Sequence, residues 1–201
     1  MREGDVELLT VSRSVLVMID LQGKIMEMAH RSAMVIKVAV RLLRMAELFG
    51  VPVVLTEQYP RGLGVTHPQV RGAFNALTVP KRFVEKVSFG CCGEASFMTA
   101  LNEVCAPVPV EQRQVVVAGI EAHVCVMQTV IELLRTGWQV HLCWDAVSSR
   151  GEEYRRHALE RMQRAGAVLT NHESVGFEWA RDKNHPAFKA FSALLKEGPL
   201  E

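Results

Sequence analysis

Three residues of this sequence carry side chains suited to nucleophilic chemistry, and each follows an apolar run. Asp20 follows Val15-Leu16-Val17-Met18-Ile19, Lys86 closes the short run that begins at Arg82, and Cys125 lies a turn beyond Val115-Val116-Val117-Ala118. A free thiol titrates near ~8.5 and is mostly protonated at neutral pH, and a helix N-terminus or a neighbouring cation lowers that value. Lys86 and the helix that begins within GIEAHVCV, Gly119 to Val126, are placed to supply both. A carboxylate beside them can take the thiol proton, pass it to a leaving nitrogen and later activate water, and Asp20 fits that role. Backbone N–H groups between Glu121 and Cys125, unpaired in a first helical turn, would face the oxygen of a tetrahedral intermediate.

Taken singly, each residue has a plainer reading. An Asp after a strand is a common turn former or cap, Lys86 beside Glu85 reads as a surface charge, and Cys125 among Val124, Val126 and Val130 reads as core. The combination is what points to catalysis, so the elements that would bring the three together matter most.

Those elements alternate along the chain. Val15 to Ile19, Val53 to Thr56, Arg82 to Val87, Val115 to Ala118, Val140 to Trp144 and Ala167 to Thr170 read as strands. Continuous apolar runs of this kind suit strands covered on both faces. Between them lie helical patterns at Ala33 to Phe49, Glu94 to Val104, His123 to Arg135 and Glu152 to Ala165, with Glu173 to Arg181 and Ala187 to Lys196 after the last strand. Gly50 with Pro52, then Gly137 and Gly166, supply the stops. The segment EQYPRGLGVTHPQV is polar and punctuated by Gly and Pro, and reads as a long binding loop. Strand–helix alternation over the whole length predicts an α/β fold, a three-layer, doubly wound parallel sheet. In such sheets ligands bind beyond the carboxyl ends of the strands, where strand order reverses, which is where Asp20, Lys86 and Cys125 fall.

The whole chain narrows the classes. Its 201 residues, 49% hydrophobic and 22% charged, are enough for one substantial core, and no repeat or linker divides it, so one domain is expected over residues 1–201. A net charge of +1, with both signs mixed, predicts no nucleic-acid partner and no membrane partner, and leaves a small-molecule substrate. The N-terminus lacks an apolar signal core and the run Val15 to Ile19 falls far short of the roughly 18 residues that span a bilayer, so a cytoplasmic location is expected. Five cysteines without a secretory signal predict reduced thiols.

The motifs VLVMIDLQ, KVSFG and VVVAGIEAHVCVMQTVIELLRTGWQV, with DAVSSR after the fifth strand, resemble the isochorismatase-like cysteine hydrolases. That family includes nicotinamidases, N-carbamoyl amide hydrolases and ureido-compound hydrolases. The resemblance runs from about Ser14 to Lys196. It implies six parallel strands, an Asp20–Lys86–Cys125 triad and attack by Cys125 on a carbonyl, cleaving a C–N bond of a small amide, ureido or carbamoyl compound through a thioester. It also implies a cis peptide at Ile120–Glu121 and an oxyanion hole from the N–H groups of Glu121 and Cys125. Together with apolar helix faces it implies a homo-oligomer, a dimer or a tetramer.

The chain departs from the family where nicotinamidases carry an Asp-x-His metal motif. Thr56-Glu57-Gln58-Tyr59-Pro60 stands there instead, so neither a metal nor any other cofactor is expected, and nicotinamide is weakened as substrate. His30 and His67 lack ligand spacing, and His123 and Cys125 at i,i+2 would face apart on a helix. Gln22, Gln58 and Tyr59 are expected to line the substrate pocket, Phe89 and Trp144 read as apolar pocket walls or, more plainly, as core aromatics, and His172 and Glu173 read as a helix start. Gly62-Leu63-Gly64 does not make a dinucleotide fingerprint. Two other functions remain: a nonenzymatic binding or scaffolding protein on the same fold, and a thiol redox protein using the adjacent Cys91 and Cys92.

Overall fold

The computed structural model describes residues 7–105 and 107–198. Six strands, β1 (Ser14–Ile19), β2 (Val53–Gln58), β3 (Lys81–Lys86), β4 (Gln114–Gly119), β5 (Gln139–Val147) and β6 (Val168–Thr170), form one sheet in the order β3-β2-β1-β4-β5-β6. Every pairing is parallel. The order reverses between β1 and β4, so the crevice of a doubly wound sheet opens at their carboxyl ends.

The apolar runs are explained by two cores, one on each face. Along β1, Leu16 and Met18 pack into one, while Val15, Val17 and Ile19 pack into the other. Strand side chains alternate between faces, so a strand covered on both sides is apolar at every position. The first face is covered by α2 (Ser32–Phe49), α8 (His172–Ala180) and α9 (Phe188–Leu195), and the second by α5 (Ala95–Val104), α6 (Met127–Arg135) and α7 (Glu152–Arg164). The edge strand β3 is the exception: Arg82, Phe83 and Glu85 are exposed while Val84 and Lys86 turn inward. Charges on an edge discourage pairing with another chain.

Three expectations shift. The segment read as one long loop contains α3 (Pro60–Leu63) and the start of α4 (Pro68–Ala76). Each opens on a proline, whose fixed φ and missing N–H suit a first helical position. Strand β2 runs two residues beyond Thr56, which pairs Gln58 with Lys86 across the sheet edge. A short helix, α1 (Gly23–Met28), follows β1 where no periodicity marked it. Among the described residues, no helix is long and apolar enough to cross a membrane.

Candidate active site

Register brings the strand ends level. Ile19 pairs with Thr56 on one side and Gly119 on the other, so Asp20, the residues after Thr56 and the turn after Gly119 surround one crevice. Gly119 is what permits this closeness. Its φ is +141°, and a Cβ there would stand 2.1 Å from the Ile19 carbonyl oxygen.

Asp20, 2% exposed, is held from two sides. The Thr56 hydroxyl donates to its Oδ1 at 2.6 Å, and Lys86 Nζ forms an ion pair with its Oδ2 at 2.7 Å. Lys86 is therefore not the surface charge its neighbour Glu85 suggests. Its ammonium also donates to Gln58 Oε1 at 2.8 Å, to Ser88 O at 3.1 Å and to Phe89 O at 3.0 Å. Burial works against that charge, but the Asp20 carboxylate and the nearby thiols outweigh it and hold the Lys86 pKa above its ordinary value.

Cys125 sits in a π-helical turn, Ala122–Val126, ahead of α6, where a regular first turn of helix was expected. Such turns recur at functional sites because they re-aim side chains. The peptide Ile120–Glu121 is cis. The Ala122 N–H donates to Ser148 O, and the N–H groups of Val124 and Val126 both donate to Glu121 O. None of these bonds uses the N–H of Glu121 or of Cys125. The expectation of a thiol lowered by its surroundings is overturned. Burial, and then the Asp20 carboxylate, push Cys125 far above its ordinary 9.0, with Lys86 opposing only in part. A neutral S–H beside an ion-paired carboxylate is the resting arrangement.

A cavity of about 290 Å³ opens onto this cluster. Its polar wall is Asp20, Gln58, Glu121, Cys125 and Arg150, and its apolar wall is Ile25, Leu63, Phe89, Ile120 and Val124. Three hollows are wider: two, of about 440 and 720 Å³, border α2 and α4, and one of about 340 Å³ lies between His123, Tyr154 and His157; no thiol lines any of them. The expected pocket residues divide. Gln58 lines the cavity and bridges Lys86 to Val87 O. Gln22 does not line it: fully buried, it donates to Gln58 O and Gly64 O and accepts from the Gln58 N–H, clipping the chain behind the pocket. Tyr59 does not line it either; it is 54% exposed, with φ +38°, and its ring lies over Gly62. Phe89 is a wall and not core, whereas Trp144 lies elsewhere, its ring near the Arg155 guanidinium. His172 starts α8 as expected, but it is buried against Asp145, away from the cavity.

Two features escaped the sequence reading. Arg150, the last residue of DAVSSR, reaches the cavity and grips Glu121: its Nε donates to Oε1 at 2.9 Å, its Nη2 to Oε2 at 2.7 Å and its backbone N–H to Oε1 at 3.1 Å. This guanidinium holds the Glu121 carboxyl below its ordinary value. Thr56, expected as the end of a strand and the head of the segment in place of the metal motif, is the other. A hydroxyl one residue past an apolar triplet carries no signal of the carboxylate it meets across the sheet.

Glu57, Gln58 and Tyr59, from the segment that stands in place of the expected Asp-x-His motif, do not fit a metal here. Glu57 accepts from the Thr66 N–H and hydroxyl and from Arg71, Gln58 is engaged as above, and Tyr59 faces outward. Among the described residues, no three His, Cys, Asp or Glu side chains converge on a common point.

A profile of the isochorismatase domain matches residues 14–174. The chain belongs to the isochorismatase family. It is 36% identical over 188 residues to isochorismatase domain-containing protein 1 of Danio rerio, covering 94% of this chain and 62% of that protein. The chain thus spans less than two thirds of that relative's length. Among solved structures of the isochorismatase fold, a MAR1 ribonuclease of Caenorhabditis elegans superposes with a TM-score of 0.83 at 33% identity, over 96% of this chain and 95% of that one. The YcaC gene product of Escherichia coli, an octameric hydrolase of unknown specificity, superposes with a TM-score of 0.83 at 20% identity, over 94% and 91% of the two chains.

Proposed function

We propose that this isochorismatase-family protein is a cofactor-independent cysteine hydrolase that cleaves a C–N bond in a small amide, ureido or carbamoyl compound. The observation that carries the reading is the buried Lys86–Asp20 ion pair facing Cys125 in one enclosed cavity. Cys125 Sγ attacks the substrate carbonyl as its proton passes to Asp20. With the thiol pKa raised, transfer accompanies attack and no standing thiolate precedes it. Lys86 and Thr56, one on each oxygen, fix the orientation of the Asp20 carboxylate. The developing oxyanion takes the N–H groups of Glu121 and Cys125. Asp20 then protonates the leaving nitrogen, amine or ammonia departs, and a thioester remains on Cys125. Water deprotonated by Asp20 hydrolyses the thioester and restores the thiol.

The reduced state this chemistry needs accords with a cytoplasmic setting, and the five cysteines are unpaired. A homo-oligomer is the proposed assembly. It is supported by the octameric E. coli hydrolase of the same fold and by exposed apolar side chains such as Phe177 at 51% and Tyr154 at 54%.

The test is a screen of amides, ureides and carbamoyl compounds for ammonia or amine release, with mass spectrometry of a trapped Cys125 adduct. Cys125→Ala and Asp20→Asn are expected to abolish release while thermal unfolding stays nearly unchanged. Full activity in either variant overturns the reading. RNA belongs in the same screen, since the C. elegans neighbour is called a ribonuclease. RNA cleavage without any ammonia release would overturn it as well.

A further inference from the structure

Every formal charge on the cavity wall has its partner within the protein. The Asp20 carboxylate meets Lys86 Nζ at 2.7 Å, and the ammonium, wholly buried, spends its protons on oxygens of Asp20, Gln58, Ser88 and Phe89. The Arg150 guanidinium is matched by the Glu121 carboxylate through two side-chain bonds and a backbone bond. The remaining lining is one amide, a neutral thiol and five apolar side chains. An arginine beside a nucleophile would ordinarily serve as a carboxylate receptor, because its fork matches that group. Here Glu121, 7% exposed, already occupies the Nε–Nη2 edge of that fork and matches its charge.

We infer that the cavity selects electrically neutral substrates with a compact apolar body, and that Glu121 enforces this choice by occupying Arg150. An anionic substrate would leave water for a site with no unspent cation, beside two carboxylates. A charged group that is desolvated without a partner is strongly disfavoured. A neutral amide or ureide loses little on entry and gains contact with Leu63, Phe89 and Val124. The inference deepens the proposed function and shares with it the assumption that Cys125 is the reacting atom in the cavity.

The test uses two alkylating probes of nearly equal size, iodoacetamide and iodoacetate, one neutral and one anionic. In either reaction Cys125 Sγ displaces iodide, an S–C bond forming as the C–I bond breaks and the thiol proton leaving. Rates are read at Cys125 by peptide mass spectrometry and expressed as the iodoacetamide-to-iodoacetate ratio. The same ratio for a small free thiol is the reference. The wild-type ratio is expected to exceed the reference by about tenfold or more. In Glu121→Gln, which frees the Arg150 fork, the ratio falls toward or below the reference. In Arg150→Met, which leaves Glu121 unmatched, it rises further. Opposite movements separate charge selection from general loosening of the turn, since loosening changes both rates together and leaves the ratio alone. A wild-type ratio equal to the reference, or a Glu121→Gln ratio equal to wild type, overturns the inference. Because the readout is alkylation, it stands apart from turnover. Absence of ammonia release with the ratios as expected removes the hydrolase reading and leaves neutral selection in place. Ammonia release with a flat ratio does the reverse.

Discussion

Asp20 is steered as much by a hydroxyl as by an ammonium. Thr56 donates to the oxygen that Lys86 does not touch, so the carboxylate cannot rotate away from the thiol. Replacing Thr56 with valine keeps the volume and removes the donor, leaving a buried carboxylate oxygen without its hydrogen bond. The loss corresponds to about 1.4 kcal/mol, or about tenfold in rate. Thr56→Val is expected to lower kcat by about that factor with little change in KM, checked by steady-state kinetics on whichever substrate the screen identifies. That Asp20, Lys86 and Cys125 come together was legible from residue types at strand ends. The raised thiol was not, because proximity of a cation suggests the opposite shift and only the depth of burial reverses it. Nor was the Arg150–Glu121 pair, whose members lie 29 positions apart with nothing in their spacing to join them.

At the level of elements, the cavity depends on how α3 and the chain up to α4 are tied down. Glu57, 1% exposed near the end of β2, accepts from the Thr66 N–H, the Thr66 hydroxyl and Arg71, while the Arg71 guanidinium also lies over the Phe83 ring. Gln22 holds the same segment through Gln58 and Gly64. Glu57→Gln removes the charge from this knot and is expected to destabilise the fold by about 2 kcal/mol. It should also hasten proteolytic cleavage between residues 59 and 67. Thermal unfolding with limited proteolysis measures both, and an unchanged cleavage rate would count against the knot. The sheet was readable because five of its strands are apolar runs answered by helical periods. The short helices α1 and α3 were not, since four to six residues are too few to show a helical period. Tyr59 and Gln22 were misplaced for a related reason: composition marks a loop near a pocket but does not say which side chains turn toward it.

Over the whole molecule, burial sets the behaviour of the thiols. Desolvation raises Cys91 and Cys92 to about 12 and Cys105 to about 11, and pushes Cys125 and Cys143 up as well, all from an ordinary 9.0. Below pH 9 both folded and unfolded chains keep these protons, and the thiols leave stability unaffected. Between 9 and about 12 the unfolded chain releases them and the folded one does not, so stability falls as pH rises through that window. Melting temperatures measured from pH 8 to 11 should therefore drop steeply for the wild type. A Cys91→Ala/Cys143→Ala variant, with a lower starting value, should show a shallower slope.

The groups proposed to bear the chemistry and the groups that bound the space come from different parts of the chain. Asp20, Lys86 and Cys125 stand on or just past strand ends fixed by the sheet, whereas Ile25, Leu63 and Phe89 come from short helices and connections laid over it. Such a division lets heritable change act on one set without disturbing the other. A lineage carrying this scaffold can reshape the cavity by exchanging three side chains, and a protein engineer can travel the same route by saturating those three positions while the strand-end cluster stays intact.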